Sequence, residues 1–290
     1  MQRECFVFAN PLSGGYSPKR ISEALSMLSS QGYFPRVEEI TTPAEAALRA
    51  RGLCEETSRP FIVVAGGDGT INGVVNGLVP GVATLAVLPL GTSNVLSREL
   101  GITSLAHALE KIAAGISRHA AVGHIQGSGE SRYFLLMAGI GVDGAVVKGV
   151  RAAEKRLLGK GAYLLSALRL LSKWEEGTVR VVAETSEIEC HSVIVCNASR
   201  YGGNRVIAPG ASLFEPELQV ICLRNGTRRA CLKCAFSLTV GRGLEGADVI
   251  SFGARELEIQ GVKPLQADGD YYFDSPVRIR SVPSFLRLIV

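Results

Sequence analysis

The sequence lacks several features that mark membrane, secreted or nucleic-acid-binding proteins. No apolar run approaches the length of about 18 residues that spans a bilayer, and the first residues contain no hydrophobic stretch typical of a signal peptide. Lysine and arginine are dispersed rather than interleaved with aromatic residues, so we expect no nucleic-acid partner. These absences predict a cytoplasmic protein and leave open a peripheral contact with a membrane.

Cysteine and histidine also lack the spacing of a metal or redox site. The seven cysteines are odd in number and scattered, which is typical of a reduced compartment. Cys231 and Cys234 have C-x-x-C spacing, but a zinc site needs a second ligand pair, for which only Cys190 and His191 qualify. We therefore interpret Cys231 and Cys234 as buried helix residues, and the four histidines receive no chemical role.

The bulk composition is that of a globular chain. Its 290 residues are 47% hydrophobic and 20% charged, which allows one large domain or two modest ones with a sizeable core. A formal net charge of +4 is mildly basic. This charge is compatible with an acidic ligand such as a nucleotide, or with an anionic membrane surface.

Two sequence patterns divide the chain. Over residues 1–117, short apolar runs alternate with helical periodicity, which predicts an α/β domain with a parallel sheet. Residues 118–281 contain short, partly alternating runs separated by turns, which predict an antiparallel second domain. One strongly helical segment, at 162–174, interrupts that pattern. Whether residues 282–290 return to the first domain is left open.

Three glycine-containing loops each follow a predicted strand. They read NPLSGG (residues 10–15), GGDGT (66–70) and PLGTSN (89–94), and are called here the first, second and third glycine loops. The carboxyl ends of parallel strands share one edge of a sheet, so we expect the loops to meet in one crevice. Backbone N–H groups in such loops, and the N-terminus of a following helix, bind anions. The spacing matches neither G-x-G-x-x-G nor a P-loop.

Asp68 is unexpected in an anion-binding loop because a carboxylate repels phosphate. The repulsion is removed if a cation lies between the two groups, or if the carboxylate accepts a proton during a reaction. Both possibilities indicate chemistry at phosphate, with Mg²⁺ as mediator or a hydroxyl group as nucleophile. The alternative is that Gly67, Asp68 and Gly69 form an ordinary tight turn and that Thr70 caps the next helix.

In order and spacing, the three loops resemble the catalytic domain of the diacylglycerol kinase family. The resembling stretches are NPLSGG, GGDGTINGVVNGL and LPLGTSNVLSREL, followed by GIGVDG (139–144) and ADGDYYF (267–273). The family includes bacterial soluble lipid kinases and the sphingosine and ceramide kinases. The resemblance covers essentially the whole chain. It implies an ATP-binding α/β domain, an antiparallel β-sandwich domain, and transfer of the γ-phosphate to a diacylglycerol-like or sphingoid-like lipid hydroxyl in the cleft between them.

The resemblance also implies roles for individual residues. Asp68 and Asp270 are implied as catalytic residues, with Asp68 engaging the Mg²⁺ that accompanies ATP and Asp270 as general base. Glu215 is the one candidate ligand for a structural Mg²⁺. The implied ATP contacts are Asn10, Pro11, Ser13, Gly14, Thr41, Gly66, Gly67, Asp68, Gly69, Thr70, Asn72 and Thr92. A lipid acceptor at a membrane surface is the implied partner, and a homodimer is left open because some relatives are dimers.

Several acidic positions of the family pattern are changed in this chain. Asp270 stands where the family usually has Glu, which shortens the base by one methylene, or about 1.5 Å of reach. Relatives also carry acidic residues at the positions of Gly73, Val95, Ala121 and the LFEP stretch at 213–216. A divergent lipid kinase and a nucleotide- or lipid-binding regulator of the same fold are both compatible with these changes. A NAD-kinase-like reaction is disfavoured because the second and third loops fit lipid kinases better.

A basic and partly apolar segment follows the GIGVDG motif. Its basic members are Lys148, Arg151, Lys155, Arg156 and Lys160, and its apolar face includes Leu164, Leu168 and Leu171. One interpretation is a membrane-docking surface that is drawn to anionic lipid. The other is a solvated basic turn followed by a helix that packs on the second domain.

Overall fold

A computed structural model gives the fold of the chain, and the residues that it describes are 3–127, 129–151, 154, 161–172, 177–184, 186–231, 244 and 246–290. The helices among them are α1 (Pro18–Ser30), α2 (Pro43–Glu56), α3 (Asp68–Gly77), α4 (Val95–Glu99), α5 (Leu105–Ala114), α6 (Val142–Lys148) and α7 (Gly161–Ser172). The strands are β1 (Arg3–Ala9), β2 (Tyr33–Glu39), β3 (Phe61–Gly66), β4 (Thr84–Pro89), β5 (Ser117–Gly127), β6 (Glu130–Phe134), β7 (Met137–Ile140), β8 (Val179–Ala183), β9 (Ser186–Cys190), β10 (Ser192–Cys196), β11 (Arg200–Tyr201), β12 (Arg205–Val206), β13 (Leu218–Leu223), β14 (Val249–Ala254), β15 (Glu256–Gln260), β16 (Pro264–Ala267), β17 (Asp270–Asp274) and β18 (Val277–Ile289).

Strands β1 to β4 form the parallel part of the larger sheet. Their order is β2-β1-β3-β4, and each neighbouring pair is parallel. Nearly every residue of β3 and β4 is buried, whichever face of the strand it occupies. Continuous apolar runs of this kind are typical of parallel strands that are covered on both faces. The predicted α/β fold with a parallel sheet is therefore confirmed.

Side-chain caps start the two helices that precede β2 and β3. Ser17 Oγ accepts the N–H of Arg20 at 3.2 Å, and Thr42 Oγ1 accepts the N–H of Glu45 at 3.2 Å. Each such cap contributes about 1 kcal/mol to helix stability. The helix after the second glycine loop, α3, differs because its N-cap is Gly67, which has no side chain to accept the first-turn N–H groups.

The C-terminal half is an antiparallel sandwich, which confirms the second part of the predicted fold class. One layer is the six-stranded sheet β14-β13-β10-β7-β16-β17, in which every pairing is antiparallel. The other layer is the antiparallel part of the larger sheet, with β18, β15, β8 and β9 in order and β5 and β6 beside β18. Fully buried residues from both layers fill the space between them, among them Ile125, Ile140, Val195, Leu265 and Ile279.

Strand β18 belongs to both halves of the molecule. Its residues 278–282 and 286–289 pair antiparallel with β5, and Arg287 and Leu288 also pair parallel with Thr84 and Leu85 of β4. The end of the chain thus extends the parallel sheet, and the larger sheet runs without a break from one half into the other. The domain limits 1–117 and 118–281 stay a prediction.

The helical segment expected at 162–174 is present as α7. Residues 173 and 174 lie outside the described residues, as do Lys155, Arg156 and Lys160 of the basic segment and Cys234 of the C-x-x-C pair. None of the helices in the described part of the chain combines the length and hydropathy that a membrane span requires.

Lys148, the first basic residue of that segment, already has partners within the molecule. Its Nζ donates to Asp274 Oδ1 at 3.0 Å and lies 4.7 Å from the ring centroid of Tyr271. The hydrogen bonds with Tyr271 and Asp274 raise the pKa of Lys148. The side chain thus anchors α6 to β17. This pairing favours the structural interpretation of Lys148 over a role in membrane docking.

Candidate active site

The three glycine loops meet at the carboxyl edge of the parallel strands. Asn10 Nδ2 donates to Thr70 Oγ1 at 2.8 Å and so joins the first loop to the second. The N–H of Gly15 donates to the carbonyl of Leu90 at 2.8 Å and joins the first loop to the third. The crevice expected from the sequence is therefore formed by direct contacts between the loops.

Glycine is required where these loops touch backbone to backbone. A Cβ on Gly91 would lie 2.5 Å from the Cα of Gly67, closer than any real contact allows. A Cβ on Gly14 would lie 3.3 Å from Thr92 Oγ1, which puts two predicted ATP contacts side by side. At Gly69, by contrast, a Cβ would meet no atom within 4 Å. The start of α3 therefore borders open space.

Asp68 lies in the first turn of α3 and also caps a second helix. Its Oδ2 accepts the N–H of Val95 at 3.0 Å and its Oδ1 accepts the N–H of Leu96 at 3.1 Å. Both are first-turn amides of α4, where a negative charge is favourable. A carboxylate offers about four acceptor positions, so roughly two remain. Asp68 also lines the cleft between the two halves of the molecule.

That cleft has a volume of about 290 Å³. The glycine loops contribute Asp68 and Ser93 to its wall, and the hairpin between β16 and β17 contributes Asp268 from the other side. Arg200 and Arg205, from the small β11–β12 ribbon, also line it. The cleft thus combines carboxylates with guanidinium groups, as a site for a charged substrate requires.

Asp268 and Asp270 have different environments although they are two residues apart. The carboxylate of Asp268 turns inward and accepts four hydrogen bonds. Desolvation raises the pKa of Asp268, and these bonds act in the opposite direction. Asp270 begins β17, is partly exposed, and follows Gly269, which lines the cleft. Among the described residues, the carboxylates on the cleft wall are those of Asp68 and Asp268, and Asp270 lies directly beside it.

Asn72 connects α3 to the sandwich rather than to the glycine loops. Its Nδ2 donates to Asp268 Oδ2 at 2.7 Å and to the carbonyl of Tyr133 at 3.3 Å. Its Oδ1 accepts from Asn76 Nδ2 at 3.1 Å and from the Tyr272 hydroxyl at 3.2 Å. We call these five residues the interdomain seam. The role of Asn72 as an ATP contact stays a prediction, and its observed partners favour a role in joining α3 to the sandwich.

Thr41 lies just before α2 and contacts that helix. Its N–H and its hydroxyl both donate to Glu45 Oε2, at 2.9 and 3.0 Å. These bonds are the main reason why the pKa of Glu45 is lowered. Among the hydrogen bonds of the described residues, none joins Thr41 to a glycine loop. Its role as an ATP contact stays a prediction.

A second cavity, of about 210 Å³, adjoins the cleft inside the C-terminal half. Val146 and Tyr201 line both spaces, so they form the wall that the two share. Most of the other lining residues are apolar, including Ile140, Ile194 and Ile221. A space of this chemistry next to a charged cleft is suited to a ligand with a polar head and an apolar chain.

Asp143, from the GIGVDG motif, contributes the one carboxylate among the described residues that line this second cavity. It accepts the Tyr201 hydroxyl and Gln266 Nε2, each at 2.5 Å. Desolvation raises the pKa of Asp143, and desolvation together with the Asp143 carboxylate raises the pKa of Tyr201 well above its usual value. Packing explains why the first residue of the motif is glycine, because a Cβ on Gly139 would overlap the Asp143 side chain.

Packing explains why no acidic side chain occupies position 73. A Cβ on Gly73 would lie 2.6 Å from the carbonyl oxygen and 2.8 Å from the Cα of Pro43. Helix α2 therefore lies too close to α3 for any side chain at this position. Gly77, one turn later, meets Ala47 in the same way. In this chain, position 73 is a helix-packing position.

The positions of Val95 and Ala121 are also buried. Val95 is 6% exposed and donates its N–H to Asp68. Ala121 is 3% exposed, donates its N–H to the carbonyl of Leu213 at 2.7 Å and accepts Asn197 Nδ2 at 2.9 Å. Backbone hydrogen bonds thus hold the chain at two positions where the resemblance implies acidic side chains.

Glu215, the candidate ligand for a structural Mg²⁺, lies on an exposed turn, where its N–H donates to the carbonyl of Ser212 at 3.1 Å. Within the described part of the chain, no three His, Cys, Asp or Glu residues are grouped so that they could hold a metal ion. The role of Glu215 stays a prediction, and no group of ligands supports it.

Sequence reasoning missed two arginines that lie at the glycine loops. Arg20 Nη1 donates to the carbonyl of Gly15 at 3.0 Å, and Arg98 Nε donates to the carbonyl of Ser93 at 3.1 Å. Both residues are close in sequence to a glycine loop, and that spacing is the signal that could have found them. Arg200 and Arg205 carried no such signal, because residues far away in sequence bring them to the cleft.

The fold and the site define a class of protein in which an α/β domain with glycine-rich loops faces a β-sandwich across a cleft. Comparison with protein families identifies the class more closely. Residues 4–125 match the diacylglycerol kinase catalytic domain, and residues 137–290 match the YegS C-terminal NAD kinase beta sandwich-like domain. The chain belongs to the diacylglycerol kinase catalytic domain family, with a YegS-like C-terminal domain, and the resemblance inferred from the motifs is confirmed.

Individual relatives agree with this assignment over nearly the whole chain. A diacylglycerol kinase of Bacillus subtilis is 28% identical over 284 residues, which cover 93% of this chain and 90% of the relative. A diacylglycerol kinase of Mycobacterium tuberculosis is 26% identical over 290 residues, which cover 97% and 93%. The crystal structure of a diacylglycerol kinase from Bacillus anthracis has the same fold, with a TM-score of 0.79 at 22% identity over 99% of this chain and 96% of that one.

Proposed function

We propose that this protein is a lipid kinase that transfers the γ-phosphate of ATP to a lipid hydroxyl group in the cleft between its two halves. Its membership of a family whose kinases use ATP supports the reaction class. The observation that carries the proposal is the position of Asp68, which stands where the glycine loops meet and also lines the cleft. A carboxylate in that position favours phosphoryl transfer over simple anion binding.

The nucleotide phosphates would lie against the start of α3. This helix has no side-chain cap, and the N–H groups of Thr70 and Ile71 donate to the carbonyl of Gly67, so an anion would meet the N–H groups of Asp68 and Gly69, beside which the space is open. The first and third loops, with Gly14 and Thr92 in contact, would complete the site from the other side. Arg20 and Arg98, which are hydrogen-bonded to these two loops, are suited to neutralise the phosphate charge.

The residues present fit a Mg²⁺ ion that arrives with ATP. Magnesium is usually held by one or two carboxylates together with substrate phosphates, rather than by a cage of protein ligands. Asp68 can supply one such carboxylate because only about two of its four acceptor positions are occupied. When bound, the ion would offset the charge that develops on the phosphates.

The lipid would enter from the sandwich side. The cavity of about 210 Å³ is mostly apolar and shares a wall with the cleft, so an alkyl chain could lie in it while the hydroxyl group faces the phosphate. Asp143 and Tyr201 form a polar patch at the shared wall. This arrangement supports an acceptor with a polar head and an apolar chain, reached at a membrane surface.

Asp270 is the proposed general base. The carboxylate of Asp268, two residues earlier, is committed to four hydrogen bonds, and Asp270 begins β17 beside the cleft wall. Asp270 would accept the proton of the lipid hydroxyl as its oxygen bonds to the γ-phosphorus. The bond from that phosphorus to the bridging oxygen then breaks, and ADP leaves with the electron pair.

Transfer of labelled phosphate from ATP to a panel of lipids in mixed vesicles tests this proposal. We expect a labelled lipid with the wild-type protein and a loss of kcat on the order of 10² to 10³ for Asp68→Asn, which keeps the side-chain shape but removes the charge. Ser104→Ala is the matched control, because Ser104 Oγ accepts the N–H of His107 at 3.1 Å and caps α5, and the hydrogen bonds of the described residues do not join its side chain to a glycine loop. It should lose about 1 kcal/mol of stability and keep its activity.

Two results would contradict the proposal. Binding of ATP without transfer to any lipid would identify a regulator that has kept the fold and lost the reaction. The changed acidic positions would then explain the loss of activity. Transfer to NAD alone would identify a NAD-kinase-like enzyme.

A further inference from the structure

Four donors surround the carboxylate of Asp268 at the tip of the β16–β17 hairpin. Oδ2 accepts the N–H of Leu135 at 2.8 Å, and Oδ1 accepts the N–H groups of Leu136 at 2.9 Å and Met137 at 3.0 Å. The fourth donor is Asn72 Nδ2, at 2.7 Å from Oδ2. The hairpin tip is thus held by one side chain from α3 and three backbone amides, two from the link between β6 and β7 and one from the first residue of β7.

The amide of Asn72 has no bonding capacity left for a nucleotide. A carboxamide has two N–H donors and two acceptor positions on its oxygen. Both donors are engaged, by Asp268 and the carbonyl of Tyr133, and the oxygen accepts from Asn76 and Tyr272. A rotated amide would turn its oxygen towards the Asp268 carboxylate, so the network admits one orientation only.

The helix between Asp68 and Asn72 makes this contact relevant to the reaction. The two residues are four positions apart, or about 6 Å along the axis of α3. Asp68 lies at the glycine loops, and Asn72 binds Asp268 in the hairpin that continues into Asp270. A single rigid turn of helix therefore fixes the distance between the phosphate-binding end and the proposed base.

We propose that Asn72 is a positioning residue, which holds the hairpin of Asp268 and Asp270 at a fixed distance from the glycine loops. The inference rests on the proposed lipid kinase function and replaces the ATP contact that the motif implied for Asn72. Without Asn72, the Asp268 carboxylate would lose the one side-chain donor among its four hydrogen bonds, and with it the bond that ties the hairpin tip to α3. A displacement near 1 Å at a reacting group costs on the order of 10² in rate.

Steady-state kinetics of Asn72→Ala, Asp268→Asn and the double variant test the proposal. We expect kcat to fall on the order of 10² for each single variant, while the KM for ATP stays within about twofold. The double variant should lose no more than the worse single one, because both changes remove the same contact. ATP affinity, measured by titration calorimetry without lipid, should be unchanged in all three. Thermal melting confirms that each variant is folded, and Asn72→Ser repeats the test if the alanine variant is not.

Asn76→Ala is the matched control on the same helix. Asn76 exchanges hydrogen bonds with the backbone of Tyr133, at 2.9 Å each, and the hydrogen bonds of the described residues do not join it to Asp268. It also donates to Asn72 Oδ1 at 3.1 Å, but that oxygen keeps the Tyr272 hydroxyl as a donor when Asn76 is replaced. Its kcat should fall much less than that of Asn72→Ala, since the hairpin keeps its link to α3. An equal fall would mean that loosening of α3 alone explains the effect, and would overturn the proposal.

The remaining outcomes separate this inference from the proposed function. A raised KM and weakened ATP binding in Asn72→Ala, with kcat unchanged, would restore the ATP-contact role and overturn the positioning role. Additive losses in the double variant would also overturn it. If the wild-type protein itself transfers no phosphate to lipid, the proposed function fails before any variant is compared.

Discussion

The glycine loops and the interdomain seam both border the cleft, but different chemical groups hold them. The glycine loops are joined largely through the backbone, as in the Gly15 to Leu90 bond and the close approach of Gly67 and Gly91. The seam is joined through side chains, with Asn72 and Asp268 at its centre. Where backbones touch, as in the glycine loops, only a residue without a side chain fits. Where side chains make the contact, as at the seam, the contact depends on the donor and acceptor groups that those side chains carry.

This difference has a consequence for how the two regions respond to substitution. Where a glycine of the loops or of α3 touches neighbouring backbone, as Gly91 and Gly73 do, an added side chain should disturb packing, and the cost should appear in stability. At the seam and its hairpin, an isosteric change leaves packing intact but removes a donor, an acceptor or a base, so the cost should appear in the rate.

Substitution of Asp270 should affect the rate most. Asp270→Asn removes the proposed base and should lower kcat by about 10² to 10⁴, the range that general base catalysis contributes. Asp270→Glu restores the length that the family usually has at this position and should be at least as active as the wild-type protein. Activity assays with saturating ATP and lipid measure both variants.

Asp274→Asn is the matched control for this series. Asp274 ends the same strand and pairs with Lys148 outside the cleft, so its kcat should be close to that of the wild type. An Asp270→Asn variant that is as active as Asp274→Asn would show that the hairpin supplies no base.

Substitution of Gly73 should lower stability, in contrast to the loss of rate expected at Asp270. Gly73→Glu restores the family acid but forces a side chain against Pro43, so we expect a loss of about 1 to 3 kcal/mol in the free energy of unfolding. Gly69→Ala adds a Cβ on the same helix where none is obstructed, and should cost nothing or stabilise by up to about 1 kcal/mol. Urea unfolding of the two variants measures the difference. Equal stability of both would contradict the packing explanation of position 73.

The sequence predicted the α/β half and the meeting of the glycine loops because their signals are local. An apolar strand, a glycine loop and a helix follow one another within about fifteen residues in GGDGTINGVVNGL and its surroundings. The antiparallel half was predicted as a class from its short alternating runs. The return of Arg287 and Leu288 to β4 could only be left open, since no local pattern specifies a pairing partner 200 residues away.

The contacts of the site could be predicted less well, because they join distant residues. The carboxylate of Asp68 was expected from its charge to act on phosphate, but its bonds to Val95 and Leu96 depend on how two loops pack. Asn72 matched a motif, and the partner that defines its contacts lies 196 residues later. Gly73 was interpreted as a lost acid, whereas the packing of α2 against α3 gives it a positive role.

A crystal structure with a non-hydrolysable ATP analogue and Mg²⁺ tests the central claim most directly. The account predicts that the phosphates lie against the first-turn N–H groups of α3, with the carboxylate of Asp68 facing the γ-phosphate across the ion, and that the Asn72 to Asp268 bond of 2.7 Å is kept. A nucleotide bound away from the glycine loops, or an Asp68 carboxylate directed away from the phosphates, would contradict it.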